Sequence, residues 1–343
     1  MDRVPAEQME SVTLEGGWTV GQKLVRDADD TGGAYSVGYE VFDSAGRKAF
    51  LKAIDLRASM SGEGGLRLTR VLLGGQIAEA DLLRQCADAR LSRIIRPLTS
   101  GVWSDPANRA ATPVPYVITE WADGGDLRRK LASENVDVAF MLEALHGMAV
   151  AIQQIHRVQI AHQDVKPSNG LIVDGVTKLG DFGHAVSSAN MGEDIPVGTL
   201  SYAPPEVLYD IQGSEWSDLR AIDLYLLGSL VASVFLGGVP FTVLWLAFLD
   251  DDLHPANFGD AYDVALPFVM EAMGSALDFL RQRVPKECDA DLIVRIVRHL
   301  CSPDLTKRGM PDELVGQHDP QSLRRVIQTL DLMEKRHRVR ATA

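Results

Sequence analysis

Cysteine is scarce: Cys86, Cys288 and Cys301 are the only three, far apart in sequence and with no C-x-x-C spacing. Such isolated residues argue against a disulfide framework and read as reduced core thiols of a cytoplasmic protein. Neither does His299 beside Cys301 have the spacing of a metal site. Aromatic residues make up only 6% of the chain. Basic residues are in the minority, 34 Lys plus Arg against 47 Asp plus Glu, a formal net charge of −13. An acidic surface repels phosphate backbones and anionic membranes, so no nucleic-acid partner is expected. Repeats and low-complexity blocks are absent, and the opening residues MDRVPAEQMESVTLEGG lack the apolar run of a signal peptide.

One uncharged stretch, Leu224 to Leu249, is long enough to cross a bilayer. Gly237, Gly238 and Pro240 interrupt it, and Asp223 and Asp250 to Asp252 flank it without a basic anchor. A buried core helix followed by a Gly-Gly-Val-Pro turn accounts for it better, and no membrane partner is expected.

What remains is an ordinary globular chain of 343 residues, 46% hydrophobic and 24% charged. That length holds two domains, or one large domain with two lobes. From Trp18 to Asp55 the pattern predicts three antiparallel strands, with Ser44-Ala45-Gly46-Arg47 turning between the second and third. Gln76 to Arg90 reads as a helix and Tyr116 to Trp121 as a strand ended by Asp123-Gly124-Gly125. A long amphipathic helix is expected over Val138 to Gln159, with Asp137 near its start. A polar loop and two short strands lead to Asp181, and beyond Pro205 nearly everything reads as helix, ending in Gln321 to Arg336. Strands first and helices later predict an α+β fold with two lobes: a β-rich lobe over residues 17–122 and an α-rich lobe over 123–310. Residues 1–16 read as an N-terminal tail, and 311–343 as a C-terminal helix with a frayed basic end at Lys335, Arg336, Arg338 and Arg340. A cleft between two lobes is the default ligand site.

Residues 162–169 read H-Q-D-V-K-P-S-N, and residues 181–183 read D-F-G. One loop thus carries a carboxylate, a lysine two positions on and an amide five positions on, and a second carboxylate follows twelve residues after the amide. This set suits phosphoryl transfer from ATP. One carboxylate can orient a hydroxyl, the amide and the other carboxylate can hold Mg²⁺ against phosphates, and the ammonium can neutralise developing charge.

In these motifs the sequence resembles the eukaryotic-type Ser/Thr protein kinases. The rest follows in family order: Phe50-Leu51-Lys52 at the end of a strand, Glu79 in E-A-D-L-L, and Thr119-Glu120-Trp121-Ala122-Asp123-Gly124-Gly125-Asp126. Then come Gly198-Thr199 through Pro204-Pro205-Glu206, Asp223 in D-L-Y-L-L-G, and Arg308 in S-P-D-L-T-K-R. The resemblance covers about residues 17–310 and implies a bilobal kinase fold. It also implies ATP- and Mg²⁺-dependent transfer to Ser/Thr hydroxyls of protein substrates, with autophosphorylation left open.

On that resemblance Asp164, Lys166, Lys52 and Glu79 are the catalytic set, with Glu79 the ion-pair partner of Lys52. Asn169 and Asp181 would hold the metal. Nucleotide would be bound by Gly32, Gly33, Ala34, Tyr35, Ser36, Lys52, Glu120, Ala122, Leu171 and Asp126, the last at the ribose hydroxyls. Thr119 would border a back pocket, Arg308 would pair with Glu206, and Asp223 would be a buried acid. Thr199 would support the catalytic loop, and together with Lys166 it favours Ser/Thr over Tyr kinases. His162 reads as a packing residue, and His156 and His184 as structural.

The sequence also departs from the family. G-x-G-x-x-G-x-V aligns with Thr31 to Gly38, where only Gly33 falls on a family glycine, with Gly32 beside it; Ser36 keeps a small side chain there. Phe50 stands where the family usually has a small alanine over the adenine, so its ring either narrows the pocket or, if the strand is shifted, stacks on the base. Gln163 replaces the arginine that pairs with a phosphate on the activation segment, which predicts constitutive or partner-gated activity. Two alternatives follow: a pseudokinase that binds nucleotide or partners, and a small-molecule phosphotransferase of related fold. D-F-G and the Gly-Thr…Pro-Pro-Glu segment argue against the second.

Overall fold

The computed structural model describes residues 5–25, 36–56, 65–106, 112–133, 136–191, 198–211, 215–311, 319 and 321–341. The chain falls into two compact units: the first holds Met1–Arg90, Ile94–Gly124 and Asp181–Gly183, the second Leu91–Arg93, Gly125–Gly180 and His184–Ala343.

The first unit is built on a five-stranded antiparallel sheet in the order β1-β2-β3-β5-β4. Its strands are β1 (Thr19–Lys23), β2 (Ser36–Phe42), β3 (Lys48–Ile54), β4 (Pro97–Trp103) and β5 (Val114–Glu120). The turn between β2 and β3 forms where expected: Asp43 Oδ1 accepts from the N–H groups of Ala45 (3.0 Å) and Arg47 (2.8 Å), and Gly46 takes φ +79°. Side chains alternate across a strand. On one face Leu51 lies opposite Tyr39 and Ile118, and these join Val41, Ala49, Ala53 and Tyr116 in the buried core. On the other face, Lys52 lies opposite Gly38 and Val117, and Phe50 opposite Glu40 and Thr119.

Within residues 5–16, expected as part of an N-terminal tail, several side chains join this core. Ala6, Met9 and Leu14 are buried in the same cluster, and the Tyr39 hydroxyl donates to Ala6 O at 2.7 Å. Burial pushes the Tyr39 phenol up to about 12. Helix α1 (Gly65–Asp88) packs on β4 and β5 and begins well before Gln76. Gly74-Gly75 breaks the apolar periodicity there; a helix tolerates each glycine at about 1 kcal/mol.

The second unit is mainly helical. Its helices are α2 (Leu127–Leu131), α3 (Val138–Arg157), α4 (Pro205–Leu208), α5 (Trp216–Phe235), α6 (Phe241–Leu246), α7 (Tyr262–Arg283), α8 (Ala290–Leu300) and α9 (Arg324–Ala341). Two short antiparallel pairs accompany them: β6 (Ile160–Ala161) with β9 (Val186–Ser187), and β7 (Gly170–Val173) with β8 (Val176–Leu179). Asp137 caps α3, its side chain accepting from Ala139 N–H.

Among the described residues α3 is the one helix long and apolar enough to cross a membrane by length and composition. It buries Leu142, Leu145, Met148 and Ile152 and packs on α5, α9, β6 and β8. The uncharged stretch from Leu224 divides as expected, into the buried second half of α5, a turn with Gly237 and Gly238 at φ +64° and +91°, and α6 starting after Pro240. The C-terminal basic residues are helical: Arg336, Arg338 and Arg340 lie within α9, whose Val326, Leu330 and Met333 are buried. Cys86, Cys288 and Cys301 are free and buried; burial pushes the Cys86 and Cys288 thiols up to about 12 and 11, as in inert structural thiols.

Candidate active site

In the first unit β3, α1 and the residue after Gly180 converge. Lys52 Nζ lies 3.1 and 3.0 Å from the two oxygens of Glu79 and 2.7 Å from Asp181 Oδ1. Strand alternation turns Lys52 away from the Leu51 core, and Glu79, 3% exposed, meets it from α1. Burial alone would lower the pKa of the ammonium, but Asp181 and Glu79 outweigh it and hold Lys52 above its ordinary value. Burial raises the Glu79 pKa, against the pull of Lys52 and the backbone N–H of Phe182. Asp181 sits at φ +58°, a left-handed conformation rare outside glycine that Asp tolerates better than most residues. Strained backbone of this kind collects at functional sites.

The segment after β5 belongs to the same unit up to Gly124. Thr119 is buried, and Glu120 exchanges bonds with Arg96: each backbone N–H donates, one to Arg96 O (2.9 Å), the other to Glu120 Oε1 (2.8 Å). Lys48 Nζ stands 3.9 Å above the Trp121 ring, and Ala122 is half-buried. Ser36 opens β2, opposite Ile54, whereas Gly32, Gly33, Ala34 and Tyr35 lie outside the described residues. Asp126, in the second unit, caps α2 by accepting the Arg129 N–H at 2.9 Å, and bridges to Leu171 on β7. Sequence reasoning did not foresee that cap.

In the second unit the loop after β6 gathers Asp164, Lys166, Asn169 and Thr199. Lys166 Nζ is 2.9 Å from Asp164 Oδ2 and donates to Thr199 Oγ1 at 2.7 Å. The Thr199 hydroxyl and N–H both donate to Asp164 Oδ1, at 2.8 and 2.9 Å. Asn169 Nδ2 donates to Asp164 O (2.7 Å) and Oδ2 (3.1 Å). Burial would raise the Asp164 pKa, but Lys166, the Thr199 N–H and His184 more than offset it, so the carboxyl lies below its ordinary value. The His184 contribution was missed in the sequence; only its place next to D-F-G could have signalled it. Gly198 is required by close approach, because a Cβ there would stand 2.3 Å from Gln163 O and 2.9 Å from Asp164 Oδ1.

Buried groups hold this loop from behind. His162 contacts Gly180 O through Nε2 at 3.0 Å and is fully buried, a packing residue as expected. Asp223 accepts from the N–H groups of His162 and Gln163, both at 2.8 Å, and His156 Nε2 lies 2.8 Å from it. Gln163, at φ +63°, turns its amide inward to Leu219 O (2.8 Å) and Asp223 (3.1 Å). Arg308 grips Glu206 with two bonds of 2.5 and 2.8 Å.

Each unit offers an oxygen of the hard kind that Mg²⁺ takes: in the second, committing Asn169 Nδ2 to Asp164 leaves its Oδ1; in the first, Asp181 carries a carboxylate. Among the described residues no group of three or more His, Cys, Asp or Glu forms a metal cage of its own. Mg²⁺ is usually held by one or two side-chain oxygens together with phosphates and water.

The model of the protein kinase domain matches residues 33–288, most of the chain, so the chain belongs to the protein kinase family. It is 34% identical over 128 residues to Aurora/IPL1-related protein kinase 2 of Caenorhabditis briggsae (37% of this chain, 41% of that protein). It is 35% identical over 132 residues to Aurora kinase of Schizosaccharomyces pombe (37% and 35%). A third relative, Serine/threonine-protein kinase PknL of Mycobacterium tuberculosis, is 36% identical over 157 residues (42% and 37%). The chain thus spans between 35 and 41% of the length of these relatives.

Proposed function

We propose that the protein transfers the γ-phosphoryl group of ATP to serine and threonine hydroxyls of protein substrates. The observation that carries this reading is Asp164, a buried carboxylate kept ionised and oriented by Lys166, Thr199 and Asn169. Phosphoryl transfer asks the protein mainly for positioning and electrostatic stabilisation. Asp164 exchanges its bond from the Thr199 hydroxyl for one from the substrate hydroxyl, whose oxygen forms the new bond to the γ-phosphorus as the bond to the β-phosphate oxygen breaks. The hydroxyl proton passes to Asp164, and ADP leaves.

Lys166, already between Asp164 and Thr199, neutralises charge on the transferring group. Lys52, steadied by Glu79, takes the α- and β-phosphates, and Glu120, Ala122, Asp126 and Leu171 line the nucleoside. Asn169 and Asp181 would hold Mg²⁺, which would supply positive charge against the phosphates. The Lys166–Thr199 contact, with the likeness to the mycobacterial Serine/threonine-protein kinase PknL, favours Ser/Thr acceptors.

Gln163 offers no cation to a phosphate, and its amide is engaged with Leu219 and Asp223. Activity therefore does not require phosphorylation of Ser187, Ser188 or Thr199, and phosphatase-treated protein stays active. Three buried free thiols accord with work in a reducing compartment, the cytoplasm.

The test is incubation with Mg-ATP and a generic basic protein, with mass-spectrometric mapping of phosphate. Incorporation on Ser or Thr that Asp164→Ala abolishes is the expected result. Incorporation no greater than that of the alanine variant overturns the reading in favour of a pseudokinase.

A further inference from the structure

Gly38 on β2 and Phe50 on β3 share the sheet face that carries Lys52 and Thr119. A Cβ at Gly38 would stand 3.0 Å from Phe50 Cε2, 3.4 Å from Cζ and 3.7 Å from Leu24 Cδ1. The ring thus lies down across β2, in the space a side chain at position 38 would need. It is partly exposed, as are Gly38 and Leu24. The Cε2–Cζ edge of the ring lies at Gly38, and solvent reaches part of the side chain. These are the two positions where the resemblance puts an alanine on β3 and a valine on β2, so apolar bulk has moved from one strand to the other.

We propose that Phe50, seated on Gly38, is a stacking platform for the purine base of the nucleotide, and that the pair sets nucleotide affinity together. This rests on the reading that the site binds ATP. A ring standing off the sheet would plug the base site; this one leans over β2, its Cε2–Cζ edge at Gly38, where a side chain would press on it. Lys52 is two residues along β3 on the same face, about 7 Å away, a separation that a base and the phosphates of one nucleotide can span. Aromatic stacking is insensitive to which purine is offered, because every base has a π-face.

The test is the dissociation constant of Mg-ATP, measured by calorimetry on the full chain, beside the unfolding temperature of each variant without nucleotide. Phe50→Leu keeps apolar bulk and removes the π-face; binding is expected to weaken roughly 5- to 100-fold, the worth of one base–aromatic stack. Phe50→Trp keeps the platform and should bind within about threefold of wild type, its added indole emission quenched by the stacked base. Gly38→Val should weaken binding because its side chain lifts the ring. Phe50→Ala with Gly38→Val, which restores the alanine and valine of the resemblance, should bind better than the two single losses multiplied together. Unchanged or tighter binding by Phe50→Leu, with wild type binding normally, overturns the stacking role and leaves the kinase reading intact. Wild-type protein that binds no Mg-ATP overturns both.

Discussion

Removing Arg308 tests whether the end of the segment that closes at Glu206 is fastened through a buried ion pair. Arg308 is 1% exposed and Glu206 4%. Its guanidinium makes two bonds to the Glu206 carboxylate, donates to Ser302 O at 2.9 Å and Ala221 O at 3.2 Å, and lies over the Tyr225 ring. Burial opposes the charge on Arg308, and Glu206 more than offsets this, holding its pKa above the ordinary value. Arg308→Met retains much of the apolar stem beside Tyr225 yet leaves Glu206 as a buried unpaired carboxylate, a loss of about 3–5 kcal/mol.

Converted at 2–4 °C per kcal/mol, that lowers the unfolding temperature by roughly 6–20 °C. Glu206→Leu in the same chain removes the stranded charge. The double variant should regain most of the loss, short by about 1–2 kcal/mol for the carbonyls of Ser302 and Ala221 left without their donor. Urea unfolding of the four proteins gives the coupling free energy directly. If Arg308→Met costs less than about 1 kcal/mol, or the two losses simply add, the pair behaves as an exposed one and the reasoning fails.

Gly198→Ala puts a methyl group 2.3 Å from Gln163 O, so the segment must shift away from Asp164; kcat should fall about 100-fold with a small change in unfolding temperature, and activity within threefold of wild type refutes it. Leu330→Ala, in the face of α9 that packs on α3, should cost about 2–5 kcal/mol in denaturant unfolding. Asp164→Asn should be less stable than wild type at neutral pH because it leaves the buried Lys166 without its carboxylate. The folded Asp164 carboxyl lies below its unfolded value, so its contribution is present above about pH 4 and fades as pH falls further; the gap between the two proteins should close there.

The parts legible in the sequence were those whose signal is local. Asp164, Lys166 and Asn169 share one loop, so their spacing brings them together whatever the tertiary fold. The run Lys48 to Ile54 read as a strand carrying Lys52, and its alternation in the structure turns Lys52 away from the Leu51 core. Arg308 and Glu206, far apart in sequence, were paired only through the family resemblance.

What was not legible depended on partners elsewhere. Ala6 and Met9 are isolated apolar residues in a polar run, and nothing local says that Tyr39 and the sheet cover them. The basic C-terminus reads as a frayed end, yet Val326, Leu330 and Met333 anchor it while Lys335–Asp331 and Arg338–Glu334, at 2.7 and 2.6 Å, brace its surface. Phe50 looks like an obstacle until the register of β2 against β3 puts a glycine beneath it.

Gln163 shows how a departure from the family can leave the loop geometry intact. Its left-handed backbone needs outside support, and Asp223 provides it. The two carboxylate oxygens, fully buried, face the N–H groups of His162 and Gln163, the Gln163 amide and His156 Nε2. A carboxylate has about four acceptor positions, so this set saturates it. All of these groups lie in the second unit and are protein groups of its interior. The loop that carries Asp164 is therefore held by core chemistry. An arginine introduced as Gln163→Arg would have to abandon the Leu219 carbonyl or bury its charge beside Asp223. The variant should lose stability without any gain in activity on segment phosphorylation; activity that becomes phosphate-dependent would show that the inward amide is not what orders the loop.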